Sequence, residues 1–278
     1  MSSHPSQESA IIVAPNGAHK NHQHHPRLPI TRDEIIKEVI ACRDAGAAMV
    51  HLHTRDTYGQ HTLDITENSQ LYREVKHEVG DSIIVQLTTE AIGLYQPQQQ
   101  MALIQEVKPE AASFALHELI PSNHHIDQAA DFFHWVAKNN IIAQYIVYDE
   151  RELARYFSLL DQGALPKGQH HLLFVLGRYK KQNRSTPSDL LPFLVPRLLD
   201  HKNRWSICAF GQKEHNCLTT AMLMGADVRV GFENNHYNCL GVRAQSNASQ
   251  VAYLCATAQR LNIETIDANR FRNMLGAS

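Results

Sequence analysis

Short apolar runs alternate with longer stretches in which apolar residues recur three and four positions apart, and the alternation continues from one end of the chain to the other. Residues 10–14, Ala-Ile-Ile-Val-Ala, read as a buried strand followed by the turn Pro15-Asn16-Gly17. Residues 31–45 open with Thr31-Arg-Asp-Glu34, a capping box, and carry helical spacing. The same reading gives strands over 48–53, 83–87, 111–116, 141–148, 171–176, 205–210 and 227–230. Helices are expected over 67–79, 96–107, 127–139, 149–161, a stretch ending near 200, 214–224 and 243–261, with a short extra helix near 266–275.

Eight strand–helix units without a break in composition predict one (β/α)8 TIM barrel spanning residues 1–278, with residues 1–9 as a polar N-terminal tail. A doubly wound sheet is the rival, but no G-x-G-x-x-G follows the first strand. The barrel reading places functional residues at the C-terminal ends of strands. Asn16, His51 and His53, Thr88 and Thr89, Gly177 and Glu233 all fall there, whereas His170 and His171 start a strand and belong to the opposite face.

Composition narrows the function classes. The 278 residues are 43% hydrophobic and carry a net charge of −2, so nothing points to a nucleic-acid or membrane surface. The five cysteines, at 42, 208, 217, 239 and 255, are scattered and odd in number, as expected of reduced thiols in a cytoplasmic protein. The first residues lack the apolar core of a signal peptide, and no apolar run approaches the ~20 residues needed to span a bilayer. Of the 18 histidines, four fall in His19-Lys-Asn-His22-Gln-His24-His25. That run reads as a solvated loop rather than a surface metal site.

The chemistry concentrates in Val50-His51-Leu52-His53. Alternation along a strand points both imidazoles to one face, about 7 Å apart, where they can converge on one metal ion. Two satisfied core histidines are the plain alternative. A metal held by two neutral histidines usually gains a carboxylate. Glu233, in Arg229-Val-Gly-Phe-Glu233-Asn-Asn235, is the best candidate, because strand eight of a closed barrel lies beside strand one and near strand two. Arg229 on the same strand either binds a substrate carboxylate or pairs structurally with Asp56 or Glu233.

Seven segments in order carry a resemblance: Asn16-Gly-Ala18; His25-Pro-Arg-Leu-Pro-Ile-Thr31; Ala45-Gly-Ala47 leading into His51-Leu-His-Thr-Arg-Asp56; Gln86-Leu-Thr-Thr89; Phe174-Val-Leu-Gly177; Arg229 to Asn235; and Ser246-Asn-Ala248. On them the chain resembles the β-keto acid cleavage enzyme family. The resemblance implies a zinc ion held by His51, His53 and Glu233, and condensation of a β-keto acid with acetyl-CoA to give acetoacetate and a new acyl-CoA. It also implies a catalytic role for Arg229, a place for Thr88 in the substrate pocket, and a homotetramer.

The departures from the family pattern bear on proton transfer. The aspartate that usually follows the metal glutamate is Asn234 here, and an amide cannot accept a proton at neutral pH. The position after Asn-Gly-Ala, acidic in the best-known member, is His19. The Thr-Gly-Gly-like turn after strand three is replaced by Thr89-Glu90-Ala91, and the acidic strand-five segment by Gln144-Tyr145-Ile146. Three readings follow. The enzyme performs the family reaction with His19 or Glu90 moving the proton; it is a metal-dependent hydrolase; or it is a zinc-loaded binding protein without turnover. Thr89, Glu90, Gln144, His117 and His19 are expected around the substrate. The basic loop Arg178-Tyr-Lys180-Lys181-Gln-Asn-Arg184 is a candidate contact for coenzyme A phosphates.

Overall fold

A computed structural model describes residues 7–178, 184–200 and 203–276. Nine strands form one parallel sheet: β1 (Gln7–Val13), β2 (Met49–Leu52), β3 (Ile84–Thr88), β4 (Ala111–Ala115), β5 (Ile142–Val147), β6 (His171–Leu176), β7 (Arg204–Ala209), β8 (Asp227–Val230) and β9 (Ile263–Ile266). The first eight pair in sequence, and β1 pairs with both β8 and β2, so the sheet closes into the expected (β/α)8 barrel. The short extra helix follows at Ala268–Met274.

Strand alternation separates two interiors. Ile11, Val13, Val50, Leu52, Val85 and Phe114 point outward into the layer beneath the helices. Their immediate neighbours along each strand point into the barrel. At the N-terminal end the inward layer is apolar: Ala10, Ile12, Met49, Ile84, Ala111 and Ile142 pack against Phe271, with which the last helix plugs the barrel floor. The layer above it is polar. Gln86 donates to Gln144 (3.4 Å), and the Gln144 amide nitrogen approaches His171 Nδ1 at 3.1 Å and Ser206 Oγ at 3.4 Å. Burial and the neighbouring Arg204 push His171 down to about 3, so it is a neutral partner.

The predicted elements are recovered with four differences. Part of the polar tail is structured: Gln7–Ala10 pair with Ile263–Ile266, a strand that the apolar pattern did not predict because only its two ends are buried. The stretch before 200 is a 3₁₀ helix, Pro187–Phe193, and one short α-helical turn, Pro196–Asp200, because Pro187, Pro192 and Pro196 prevent a continuous ladder. Residues 116–125 hold only the short helix Leu116–Leu119 and a 3₁₀ turn, Asn123–His125. The last long helix begins at Asn247, not 243, since a tight turn bridges Tyr237 and Arg243 and Ser246 supplies the cap. The Thr31–Glu34 capping box forms as predicted. No helix among the described residues is long and apolar enough to cross a membrane.

Two glycines let the loops after β1 and β8 meet. Gly231 sits at φ +141°, and a Cβ there would stand 2.3 Å from the Ala14 carbonyl oxygen; a Cβ on Gly17 (φ +65°) would stand 2.6 Å from Glu233 Cγ. Gly231→Ala is therefore expected to destabilise the fold by about 2 kcal/mol or more. A calorimetric melt should show this as a drop of roughly 4–8 °C.

Candidate active site

Three ligand atoms converge at the C-terminal mouth of the barrel. His51 Nε2 and His53 Nε2 are 3.1 Å apart. Glu233 Oε2 lies 3.7 Å from the first and 3.2 Å from the second. The two imidazoles share a face because they are two residues apart on β2, and the β8–β1–β2 seam carries Glu233 over to them. Glu233 Oε2 has no hydrogen-bond partner although it is buried. A buried orphan oxygen facing two imidazole nitrogens is costly as it stands. Ligand atoms 2.0–2.1 Å from a tetrahedral ion lie about 3.3 Å apart, so this triangle fits one face of such a shell and leaves the fourth position open. His51, His53 and Glu233 are the metal-capable group among the described residues.

The surroundings suit that use. His51 Nδ1 is 2.7 Å from Gln86 Oε1, which fixes the tautomer and leaves the Nε2 lone pair facing the site. Burial and the Arg229 charge push His51 down to about 3, so it is neutral. Burial alone would raise the Glu233 carboxyl, but Arg229 and the two histidines outweigh it and hold it well below the usual carboxylate range. Arg229 donates to Glu233 Oε1 at 2.8 Å and to Cys208 Sγ at 3.3 Å. Of the two structural partners the sequence offered Arg229, Glu233 is the one it meets.

The loop after β3 forms the facing wall. Thr88 Oγ1 accepts the Glu90 amide at 3.0 Å, which leaves the Thr88 hydroxyl proton free to donate. Thr89 donates to the Ser113 carbonyl. Gln100 and Glu118 clamp the loop from outside, through the Thr89 carbonyl and the Ala91 amide, and His61 holds the Glu90 carbonyl at 2.9 Å. The Glu90 side chain turns inward. Its Oε2 stands 3.8 Å from His53 Nδ1, its Oε1 stands 3.9 Å from His19 Nε2, and it forms an ion pair with Arg178. Burial would raise the Glu90 carboxyl, but His53 and Arg178 bring it below its ordinary value.

Of the residues singled out in the sequence, Thr88, Thr89, Glu90 and Arg229 line one cavity with His51 and Glu233. The others surround it. Asn16 donates to the His53 carbonyl at 2.9 Å and positions the ligand strand. Gly177, at φ +86°, lets residues 184 and 185 pack within 3.0 Å of where a Cβ would be. His19 is mostly exposed, at the rim. Asn234 is buried on the turn after β8 with both side-chain polar atoms unpartnered. Gln144 lies in the polar layer beneath, not at the mouth, and His117 faces Glu152 at 3.0 Å.

In the histidine-rich run His19, His22 and His24 are exposed, whereas His25 is buried on Phe232, ring centres 4.0 Å apart. Arg178 turns into the cavity, where it pairs with Glu90; Lys180 and Lys181 lie outside the described residues. Sequence reasoning missed Ser113, Glu118, Tyr148 and Arg178 as cavity residues. It also missed Lys20, which donates to the Phe232 carbonyl and which burial lowers to about 8 against the pull of Glu233 and Glu214. None of these stands in a motif; only the loop positions of Tyr148 and Arg178, just past β5 and β6, marked them.

A family profile described as beta-keto acid cleavage enzyme matches residues 9–277. The chain is 27% identical over 275 residues to a 3-keto-5-aminohexanoate cleavage enzyme of Acetoanaerobium sticklandii, covering 96% of this chain and 98% of that one. It is 26% identical over 260 residues to a 3-oxoadipate:acetyl-CoA acetyltransferase of Cupriavidus necator, covering 90% and 89%. The apo structure of ObcA superposes with a TM-score of 0.70 at 20% identity, over 90% of this chain and 66% of that longer protein, a likeness of fold.

Calorimetric titration of chelator-treated protein with zinc is expected to show one equivalent bound. Removing the hydrogen-bond partner of a ligating imidazole in Gln86→Leu should weaken that binding roughly 10- to 100-fold. His51→Ala should abolish tight binding, and full occupancy in that variant would break the assignment.

Proposed function

Because the chain belongs to the beta-keto acid cleavage enzyme family, we propose that it condenses a β-keto acid with acetyl-CoA, releasing acetoacetate and a new acyl-CoA. The observation that carries this reading is the convergence of His51, His53 and Glu233 at the barrel mouth, with Arg229 behind them and the Thr88–Glu90 wall in front. In a substrate R–CO–CH2–COO⁻ the bond between the keto carbon and the methylene breaks. A bond from that methylene to the acetyl carbonyl forms, and the coenzyme A thiolate passes to R–CO. Zinc is our reading of the ion for the His51, His53 and Glu233 set; when bound it supplies Lewis-acid polarisation of the keto acid oxygens.

The chain's own groups divide the remaining work. Arg229 keeps Glu233 ionised and adds positive charge beside the developing enolate. Thr88 lines the cavity, and its hydroxyl, which accepts from the Glu90 amide, can donate its proton to an oxyanion there. Asn234 cannot take the methylene proton. Glu90 is a carboxylate in the cavity wall, and His19, exposed and 3.9 Å from it, connects it to solvent. We assign proton transfer to Glu90 with His19 as its outlet. Asn16, Thr89 and Gly177 shape the substrate wall through the backbone they hold. By likeness to the family the assembly is read as a homotetramer acting in the cytoplasm.

Mass spectrometry of the zinc-loaded protein incubated with acetyl-CoA and a panel of β-keto acids should reveal a new acyl-CoA together with acetoacetate. Silence across the panel with zinc bound would leave a binding protein. Glu90→Gln is expected to lower kcat by about 10²- to 10⁴-fold without loss of zinc. An unchanged rate in that variant, with a gain in Asn234→Asp, would move proton transfer away from Glu90.

A further inference from the structure

The space left above the ligand set is about 20 Å³, room for about one water molecule and not for a keto acid. Most of its walls are strand ends held in the barrel ladder. Others stand on the segments that follow the strands, among them Glu90, after β3, and Arg178, after β6, which form an ion pair. Opening this pair would enlarge that space.

The partners differ in what else they can reach. Glu90 has His53 Nδ1 at 3.8 Å, which has no hydrogen-bond partner, and His19 Nε2 at 3.9 Å. Among the described residues Arg178 has no second carboxylate at ion-pair distance. Its guanidinium carbon lies 5.9 Å from the Tyr148 ring centre and 6.0 Å from that of Phe210, and these rings hold it at the rim. With the pair open, Glu90 keeps two imidazoles within reach, whereas Arg178 faces the cavity with no second carboxylate at ion-pair distance among the described residues. The same cavity is lined by Ala115, Ile146 and Val175, apolar side chains suited to methylenes.

We propose that Arg178 selects the substrate: it exchanges Glu90 for the far carboxylate of a β-keto acid that carries two carboxylates. The inference rests on reading this cavity as the keto acid site. A guanidinium recognises such a group through paired hydrogen bonds that an alkyl or ammonium end cannot replace.

Calorimetry with the zinc-loaded protein tests it without turnover. Succinate, glutarate and adipate are titrated, each against the monocarboxylate of equal chain length and against 5-aminovalerate. At least one dicarboxylate is expected to bind roughly 10- to 100-fold tighter than its monocarboxylate, and Arg178→Gln should erase the difference while Arg178→Lys keeps part of it. Glu90→Gln removes the competitor and should tighten dicarboxylate binding several-fold without helping the monocarboxylates, a result that stands even if Arg178→Gln does not fold. Equal binding of all three classes, tighter binding of the amine, or a preference that survives Arg178→Gln would overturn the proposal. If dicarboxylates bind as expected and no keto acid reacts, the acyl-transfer reading fails and the selection by Arg178 stands. If a monocarboxylic keto acid reacts and dicarboxylates show no preference, the reverse holds.

Discussion

Closure of the barrel at the β8–β1–β2 seam is the constraint on which the site depends. Glu233 is 180 residues from His53 in the chain and 3.2 Å from it in space. The approach is made by backbone: Ala14 donates to the Val230 carbonyl at 2.8 Å, and Glu233 donates back to Ala14 at 3.2 Å. Only glycine at 231 permits that spacing, and only glycine at 17 leaves room for the Glu233 side chain. The two glycines thus act on the ligand geometry without contributing a ligand atom.

The second feature is the concentration of charge in a small, buried cavity. Arg229 and Glu233 are nearly fully buried, and Glu90 and Arg178 stand at the rim. Removing either member of such a pair strands a buried charge, at a cost larger than the pair's own net contribution. Arg229 therefore serves the fold and the site with one contact, since it offsets Glu233 and keeps it ionised. The polar layer beneath extends this order downward: Gln86 faces His51 with its oxygen, and its amide nitrogen is engaged by Gln144. That chain fixes which way the Gln86 amide points, which a lone glutamine would not.

Two of the departures read from the sequence, His19 and Glu90, stand 3.9 Å apart. Glu90, in place of a glycine-like turn, approaches His53, His19 and Arg178 at once, while Asn234 is buried without a polar partner. Charge absent from the turn after β8 is present on the loop after β3, across the mouth. A carboxylate there is tied to the rim arginine.

Much of this was legible in the residues. Strand and helix periods, with turn chemistry at Pro15-Asn16-Gly17 and Thr31–Glu34, sufficed for the barrel, because each βα unit is a local pattern that propensity and burial enforce. The His51–His53 pair followed from strand alternation, and Glu233 from the circular order of strands. What the sequence did not contain was the direction of side chains on loops. Nothing in the residues after β6 told that Arg178 turns into the cavity and pairs with Glu90. The strand Ile263–Ile266 went unread because it buries only its ends, and its partner is the chain's own N-terminal segment. Periodic burial is recorded along the chain, residue by residue. Pairings between loops are decided only when closure of the barrel brings distant backbone within reach of one another.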